Sequence, residues 1–210
     1  MTDDFSHREM ISQPSDRRTR GTLARHTSAM VNGYKVTGSV VWTNVHPDSF
    51  DAPEVFGQYP KGFLPWALRA LGVSPLDVLH VCSGALGADV GGVRVDIRPE
   101  VRPDVVANGC ALPFAPEAFG AVLIDPPYTV EYADGLYGTS YPRPSHLLAE
   151  ASRVARPDAP IGFLHYLVPM PPPNCTLERV HGIYTGVGYR IRAWTVFRKH
   201  QQDLFSENSV

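Results

Sequence analysis

Ala121-Val122-Leu123-Ile124 is an unbroken apolar run between Gly120 and Asp125. A strand wetted on one side alternates polar and apolar residues, so an unbroken run describes a strand covered on both faces. Such strands belong to mostly parallel sheets with helices packed on each side. Comparable short segments occur at Asp77–Cys82, Val93–Asp96, Asp104–Ala107 and Ile161–Val168. Phe63–Leu71 carries Leu64, Ala67, Leu68 and Leu71 at helical spacing and is closed by Gly72. His146–Ala155 places Leu147, Leu148, Ala151 and Val154 on one side of a second helix. Strands and helical or loop spacers in alternation predict an α/β fold with a mostly parallel sheet. Val180–Tyr184 and Arg190–Phe197 flank Gly186-Val187-Gly188 and read as a hairpin, which makes the last strand antiparallel. Tyr34–Trp42 reads as one or two short strands around Gly38, and 44–61, rich in X-Pro pairs, as loop. Residues 1–33 are polar and aperiodic and read as a flexible tail before a single domain over 34–205.

Several function classes recede on composition. The three cysteines, Cys82, Cys110 and Cys175, are odd in number and lack metal-type spacing, which argues against a disulfide framework or a zinc site; no metal is expected. No apolar run approaches the ~20 residues of a membrane span, and the polar N-terminus is unlike a signal segment. A reducing cytoplasmic setting and no membrane partner are the expectation. Net charge is −2, so bulk charge does not announce a nucleic-acid binder. The charge is unevenly placed, however: Arg17, Arg18 and Arg20 near one end and Arg179, Arg190, Arg192, Arg198 and Lys199 near the other flank a more acidic middle. Basic ends are either phosphate-facing edges or ordinary solvated surface.

The chemistry concentrates at strand ends. Cys82-Ser83-Gly84-Ala85-Leu86-Gly87 is a glycine-bearing turn after one strand, and Asp96 closes the next. Strand, glycine turn, strand and terminal acid form a Rossmann-like nucleotide site, the acid accepting hydrogen bonds from ribose hydroxyls. The full Gly-x-Gly-x-x-Gly is absent, which favours a nucleoside cofactor without phosphates, such as S-adenosylmethionine. Asn108, after the third strand and before Gly109, is placed to bond an adenine amino group.

Asp125-Pro126-Pro127-Tyr128 directly follows the apolar strand. In open α/β sheets ligands bind beyond the carboxyl ends of the strands, so a rigid element delivers Asp125 to the site. The prolines fix the backbone, holding the Asp125 carboxylate and the Pro126 carbonyl as two acceptors. Two acceptors on the N–H bonds of an aryl amine favour a pyramidal nitrogen whose lone pair can attack a methyl group. Tyr128 offers a face on which a base can stack, worth ~1–3 kcal/mol. Tyr132, Tyr137, Tyr141 and Arg143 follow, as a substrate lid or as packing.

This loop resembles motif IV of the class I S-adenosylmethionine-dependent amino-methyltransferases, the group that includes adenine-N6 and cytosine-N4 DNA methylases. The resemblance spans roughly 59 to 200. It implies a Rossmann-like methyltransferase fold: a seven-stranded, mostly parallel sheet with an antiparallel last strand and helices on both faces. It implies that Cys82, Ser83, Gly84 and Gly87 line the methionine part of the cofactor. Asp96 would bind ribose, Asn108 and Gly109 would meet adenine, and Lys61, in Tyr59-Pro60-Lys61-Gly62, would pair with the cofactor carboxylate. Asp125 would face both cofactor and amine. His80 and Asn108 depart from the family pattern, which usually has acids there. No separate target-recognition domain is visible, so target choice falls to a protein partner or to this domain. The implied substrate is nucleic acid, DNA before RNA, with adenine N6 foremost. Methylation at carbon 5 of cytosine is discounted, because it commonly uses a cysteine after proline and no Pro-Cys occurs. A small-molecule methyltransferase and a non-catalytic cofactor-fold subunit are the rival readings.

Overall fold

The computed structural model describes residues 59–60, 62–184 and 190–200, together with the backbone of two strands at 23–31 and 34–42. Among the described residues nine strands form one sheet: β1 (Leu23–Val31), β2 (Tyr34–Trp42), β3 (Val78–Val81), β4 (Val93–Asp96), β5 (Val105–Val106), β6 (Ala121–Ile124), β7 (Pro160–His165), β8 (Cys175–Tyr184) and β9 (Arg192–Lys199). Their order is β1-β2-β8-β9-β7-β6-β3-β4-β5. The strands from β7 through β6, β3 and β4 to β5 are parallel, and β9 runs antiparallel to both β7 and β8. The expected seven-stranded sheet with its antiparallel last strand is therefore present.

Two strands lie beyond it. β1 and β2 form an antiparallel hairpin, and β2 continues the sheet by pairing Val40–Trp42 with Gly182–Tyr184 in parallel. This corrects the tail boundary at residue 33, since Leu23–Val31 is a strand. Its sequence alternates poorly, and it reaches the rest of the sheet only through β2, which pairs with β8.

Successive strand residues face opposite sides, and each side has its helix. α1 (Phe63–Leu71) lays Phe63, Leu64, Ala67 and Leu68 against Val78, Leu123, Leu164, Trp194 and Val196. α3 (Pro144–Val154) lays Leu147, Leu148, Ala151 and Val154 against Leu79, Val81, Val122, Ile124, Ile161 and Phe163. All four residues of β6 are completely buried, as their unbroken apolar character requires. Gly72 ends α1 in the left-handed region at φ 68°, a conformation glycine adopts without a Cβ penalty. Pro144 opens α3, where its missing N–H costs nothing. A Cβ on Gly162 in β7 would strike the Trp194 ring of β9, so glycine lets these two strands share the α1 face.

The connection between β3 and β4 holds only a 3-10 turn at Ala88–Val90. A short helix absent from the sequence reading, α2 (Val130–Gly135), follows the Asp-Pro-Pro-Tyr loop and is capped by Thr129, whose hydroxyl accepts from the Tyr132 amide at 3.2 Å. No helix among the described residues is long and apolar enough to cross a membrane, and no group of three metal-type side chains occurs among them.

Candidate active site at the carboxyl edge of the sheet

The chain runs β3 to β4 to β5 outward in one direction and returns through β6 on the other side of β3. Ligands of open α/β sheets bind at such a reversal, beyond the carboxyl ends of the strands. Here those ends deliver Cys82 from β3, Asp96 from β4, Asn108 just past β5, and Asp125 from β6. The Asp125 amide donates to the Val81 carbonyl at 3.3 Å, tying the two central strand ends together. Cys82 turns the chain sharply, with φ at 56°.

A cavity of about 280 Å³ opens at this point. Cys82, Asp96, Asn108, Gly109, Asp125 and Pro127 form its sheet-side wall. Tyr137, Tyr141 and Arg143 form the opposite wall, within a strap from 137 to 143 that crosses from α2 to α3. Most of the sequence-selected residues thus meet in one place. Gly84 lies behind Asp96. Gly87 instead lines a separate groove against α1, with Tyr59, Leu64 and Leu68. Tyr132 sits partly exposed on α2, and neither it nor Pro126 or Tyr128 lines the cavity. Lys61 and the Arg17, Arg18 and Arg20 cluster fall outside the described residues.

Asp96 is fixed from two sides. Its Oδ2 accepts from the Gly84 amide at 2.8 Å, and its Oδ1 accepts from the Arg98 amide at 3.0 Å and from Arg98 Nε at 3.2 Å. Gly84, at φ 53°, supplies the turn that aims its amide at the carboxylate. The Arg98 guanidinium also lies 4.7 Å from the Tyr137 ring centre, so it spans from the sheet edge to the strap. Asn108 Oδ1 accepts from the Cys110 amide at 2.9 Å, a local turn that an aspartate could make equally well. A Cβ on Gly109 would come within 2.7 Å of Val81 and 2.8 Å of Leu147, so this loop must pass close over the strand end.

Asp125 sits in a different setting. Burial raises its carboxyl to about 6, partly opposed by a hydrogen bond from Tyr128 and by the charge of Arg192. That bond is short, with Tyr128 Oη donating to Asp125 Oδ1 at 2.6 Å. Tyr128 was expected to present a free stacking face, but its surroundings are occupied. His165 lies 5.3 Å away edge-on, Tyr166 lies 4.6 Å away, and the Arg192 guanidinium lies 5.3 Å from its ring centre. Its hydroxyl ties the Asp-Pro-Pro-Tyr loop together instead.

His165 closes β7 and is almost completely buried. Its Nδ1 accepts from the Leu167 amide at 3.2 Å, which places the ring proton on Nε2, aimed at Tyr141 Oη at 3.4 Å. Burial lowers its pKa to about 4, consistent with this neutral form. His80, at the position of the family's usual acid, is a buried β3 residue that does not line the cavity, and burial likewise lowers it to about 4. Burial also raises all three cysteine thiols, with Asp96 and Asp125 adding to the effect at Cys82. None is a ready thiolate nucleophile.

Arg98, His165 and Tyr166 were not singled out from the sequence, and Arg192 stood out there only as part of a basic end. His165 was findable, since it ends an apolar strand as Asp125 does. Arg98 is adjacent to a selected acid but has no motif of its own. Arg192 needed the topology: only because β9 is antiparallel does its beginning lie at the edge where the parallel strands end.

No protein-family model matches the chain, and no curated protein does. Solved structures do. TrmN from Thermus thermophilus is 19% identical with a TM-score of 0.52, over 68% of this chain and 50% of TrmN. The chain thus spans half the length of that protein. The 1,6-didemethyltoxoflavin-N1-methyltransferase of Burkholderia thailandensis, solved with its substrate and S-adenosylhomocysteine, is 12% identical with a TM-score of 0.48, over 67% of this chain and 78% of that one. The likeness to TrmN shows a Rossmann-like methyltransferase fold, in agreement with the strand order.

Proposed function

We propose that this chain binds S-adenosylmethionine in the cavity and transfers its methyl group to the exocyclic amino nitrogen of a nucleic-acid base, with adenine N6 in DNA the favoured target. The observation that carries this reading is the position of Asp125. It ends the central strand β6, lines the cavity on one side, and is bonded on the other to an aromatic cluster that can face an acceptor.

The residues fit the cofactor. Each carboxylate oxygen has two acceptor sites, so Asp96 retains capacity for ribose hydroxyls beyond its present bonds. Ser83, between Cys82 and Gly84, does not line the cavity itself, but its buried Oγ has no hydrogen-bond partner among the described residues. Ile97, Asn108 and Cys110 would border the adenine, and the Ser83-Gly84 turn the methionine part. When bound, the cofactor supplies a methyl group on a sulfonium.

The protein's own part is positional and electrostatic. Asp125, when ionised, accepts an N–H of the amine and balances the positive charge that develops on nitrogen. The Pro126 carbonyl is read as the second acceptor. Tyr128 holds the carboxylate in place, and the prolines stiffen the backbone beneath it. Tyr137 and Tyr141 cover the cavity and exclude water. The proton leaves the methylated, cationic nitrogen readily, so a strong general base is unnecessary.

A small amine-bearing molecule is the second reading, favoured by the strap that lines one side of the cavity. A protein partner that supplies target recognition is part of the nucleic-acid reading.

The test is incubation with isotope-labelled cofactor and, separately, single-stranded DNA, duplex DNA and RNA, followed by digestion and nucleoside mass spectrometry. Labelled N6-methyladenine from DNA is the expected product. Cofactor binding without label in any nucleic acid would refute the nucleic-acid substrate and leave the small-molecule reading.

A further inference from the structure

Arg94, Arg98, Arg153, Arg156, Arg179 and Arg198 each end on a carboxylate. Two arginines beside the catalytic loop do not. No carboxylate among the described residues lies within 4.0 Å of Arg190 or Arg192. They rest on aromatic rings: Arg190 lies 5.3 Å from the ring centre of Tyr166, and Arg192 lies 5.3 Å from that of Tyr128. Those two rings are themselves 4.6 Å apart, so the guanidinium groups stand on neighbouring supports. Tyr128 in turn donates to Asp125. The arginines are two residues apart on the extended run that enters β9, whose beginning lies at the carboxyl edge of the sheet.

A guanidinium stacked on a ring keeps its N–H donors at its edge, in a fork that suits phosphate oxygens. The ring also fixes the side chain, which reduces the ordering cost when an anion binds. On the cavity side Arg98 is held by Asp96, and Arg143 belongs to the strap that lines the cavity.

We infer that Arg190 and Arg192 form a phosphate-binding pair on the acceptor side of Asp125, taking the phosphate of the nucleotide whose base is methylated. This rests on the reading of the acceptor as a base. The phosphate is either that of a free nucleotide or one within a strand. Phosphate capture anchors the acceptor by a group that does not react, while Asp125 receives the amine.

Binding measurements test this without any methyl transfer. The full chain, saturated with S-adenosylhomocysteine, is titrated with adenosine, with adenosine 5′-monophosphate and with a short mixed-sequence single strand of DNA. The wild type is expected to bind at least one phosphate-bearing ligand at least ~10-fold more tightly than adenosine, the scale of one charge-assisted contact. Preference for the mononucleotide assigns a terminal phosphate, and binding of the strand alone assigns an internal one. The Arg190→Gln/Arg192→Gln double variant should lose this preference and keep its affinity for S-adenosylhomocysteine. With the strand, each arginine lost should reduce the salt slope by about 1. Arg190→Gln alone, at an exposed position, serves where the double variant melts early. The inference is overturned if neither phosphate-bearing ligand outbinds adenosine in the wild type, or if the variants keep the preference. A chain that shows arginine-dependent phosphate binding but methylates nothing retains this site and fails only the catalytic reading.

Discussion

Asp96 and Asp125 stand at the ends of β4 and β6, the two strands that flank β3 in the same parallel sheet, yet their settings differ. Asp96 accepts three hydrogen bonds, one from Gly84 and two from Arg98, and is held as a fixed part of a wall. Asp125 accepts one, from Tyr128, and burial raises its carboxyl to about 6. A carboxylate that already accepts three bonds from its own protein has little acceptor capacity left. A carboxylate with one partner, half-buried at a cavity wall, keeps most of its acceptor capacity for whatever donor or charge arrives next. On the proposed function, the difference would separate a binding acid from a reacting one, although both are aspartates at strand ends.

The largest expected effect comes from removing the second of these. Asp125→Ala should lower single-turnover methyl transfer by at least ~100-fold, the scale of losing one preorganised electrostatic partner. Cofactor affinity should stay near wild type. Full transfer by this variant would break the comparison and remove the amino-methyltransferase reading.

Asp96→Ala should show the opposite split. Cofactor binding should weaken by about 1.5–3 kcal/mol, the scale of hydrogen bonds to a charged group. Calorimetry showing unchanged affinity in a folded variant would exclude Asp96 from the site.

A smaller effect sharpens the role of Tyr128. If transfer requires ionised Asp125, as proposed, the wild-type rate should rise with pH through about 6 and level off above. The Tyr128 hydroxyl stabilises the ionised form. Tyr128→Phe should therefore move the midpoint upward by about 1–2 units, since a bond to a charged group is worth about 1.5–3 kcal/mol and one unit is about 1.4 kcal/mol. A stacking role alone would leave the midpoint in place and make phenylalanine equivalent to tyrosine.

The smallest effect is on stability. The folded-state pKa of Asp125 is raised from 3.8 to about 6, so its charge destabilises the fold above that pH. The penalty fades as pH falls from about 6 toward 3.8. Asp125→Asn should stabilise the protein at pH 8 by on the order of 1–3 kcal/mol and have little effect near pH 4. Thermal melts at the two pH values check this, and equal shifts at both would contradict a buried charge.

The sequence by itself determined the local order. The unbroken run of β6, the terminal acid of β4 and the helical spacing of α1 and α3 are short-range patterns, and each element formed close to where they placed it. Asp96, Asn108 and Asp125 were legible because strand ends in such sheets converge on one edge. Tertiary structure decided what depends on neighbours distant in the chain. The β1–β2 hairpin joined the sheet through β8, a partner more than a hundred residues later. Arg192 reached the site only because β9 runs against β7, and Tyr128 became a support for Asp125 because His165, Tyr166 and Arg192 surround its ring. A residue's identity states which bonds it can make. Which of them it makes depends on what the fold packs beside it.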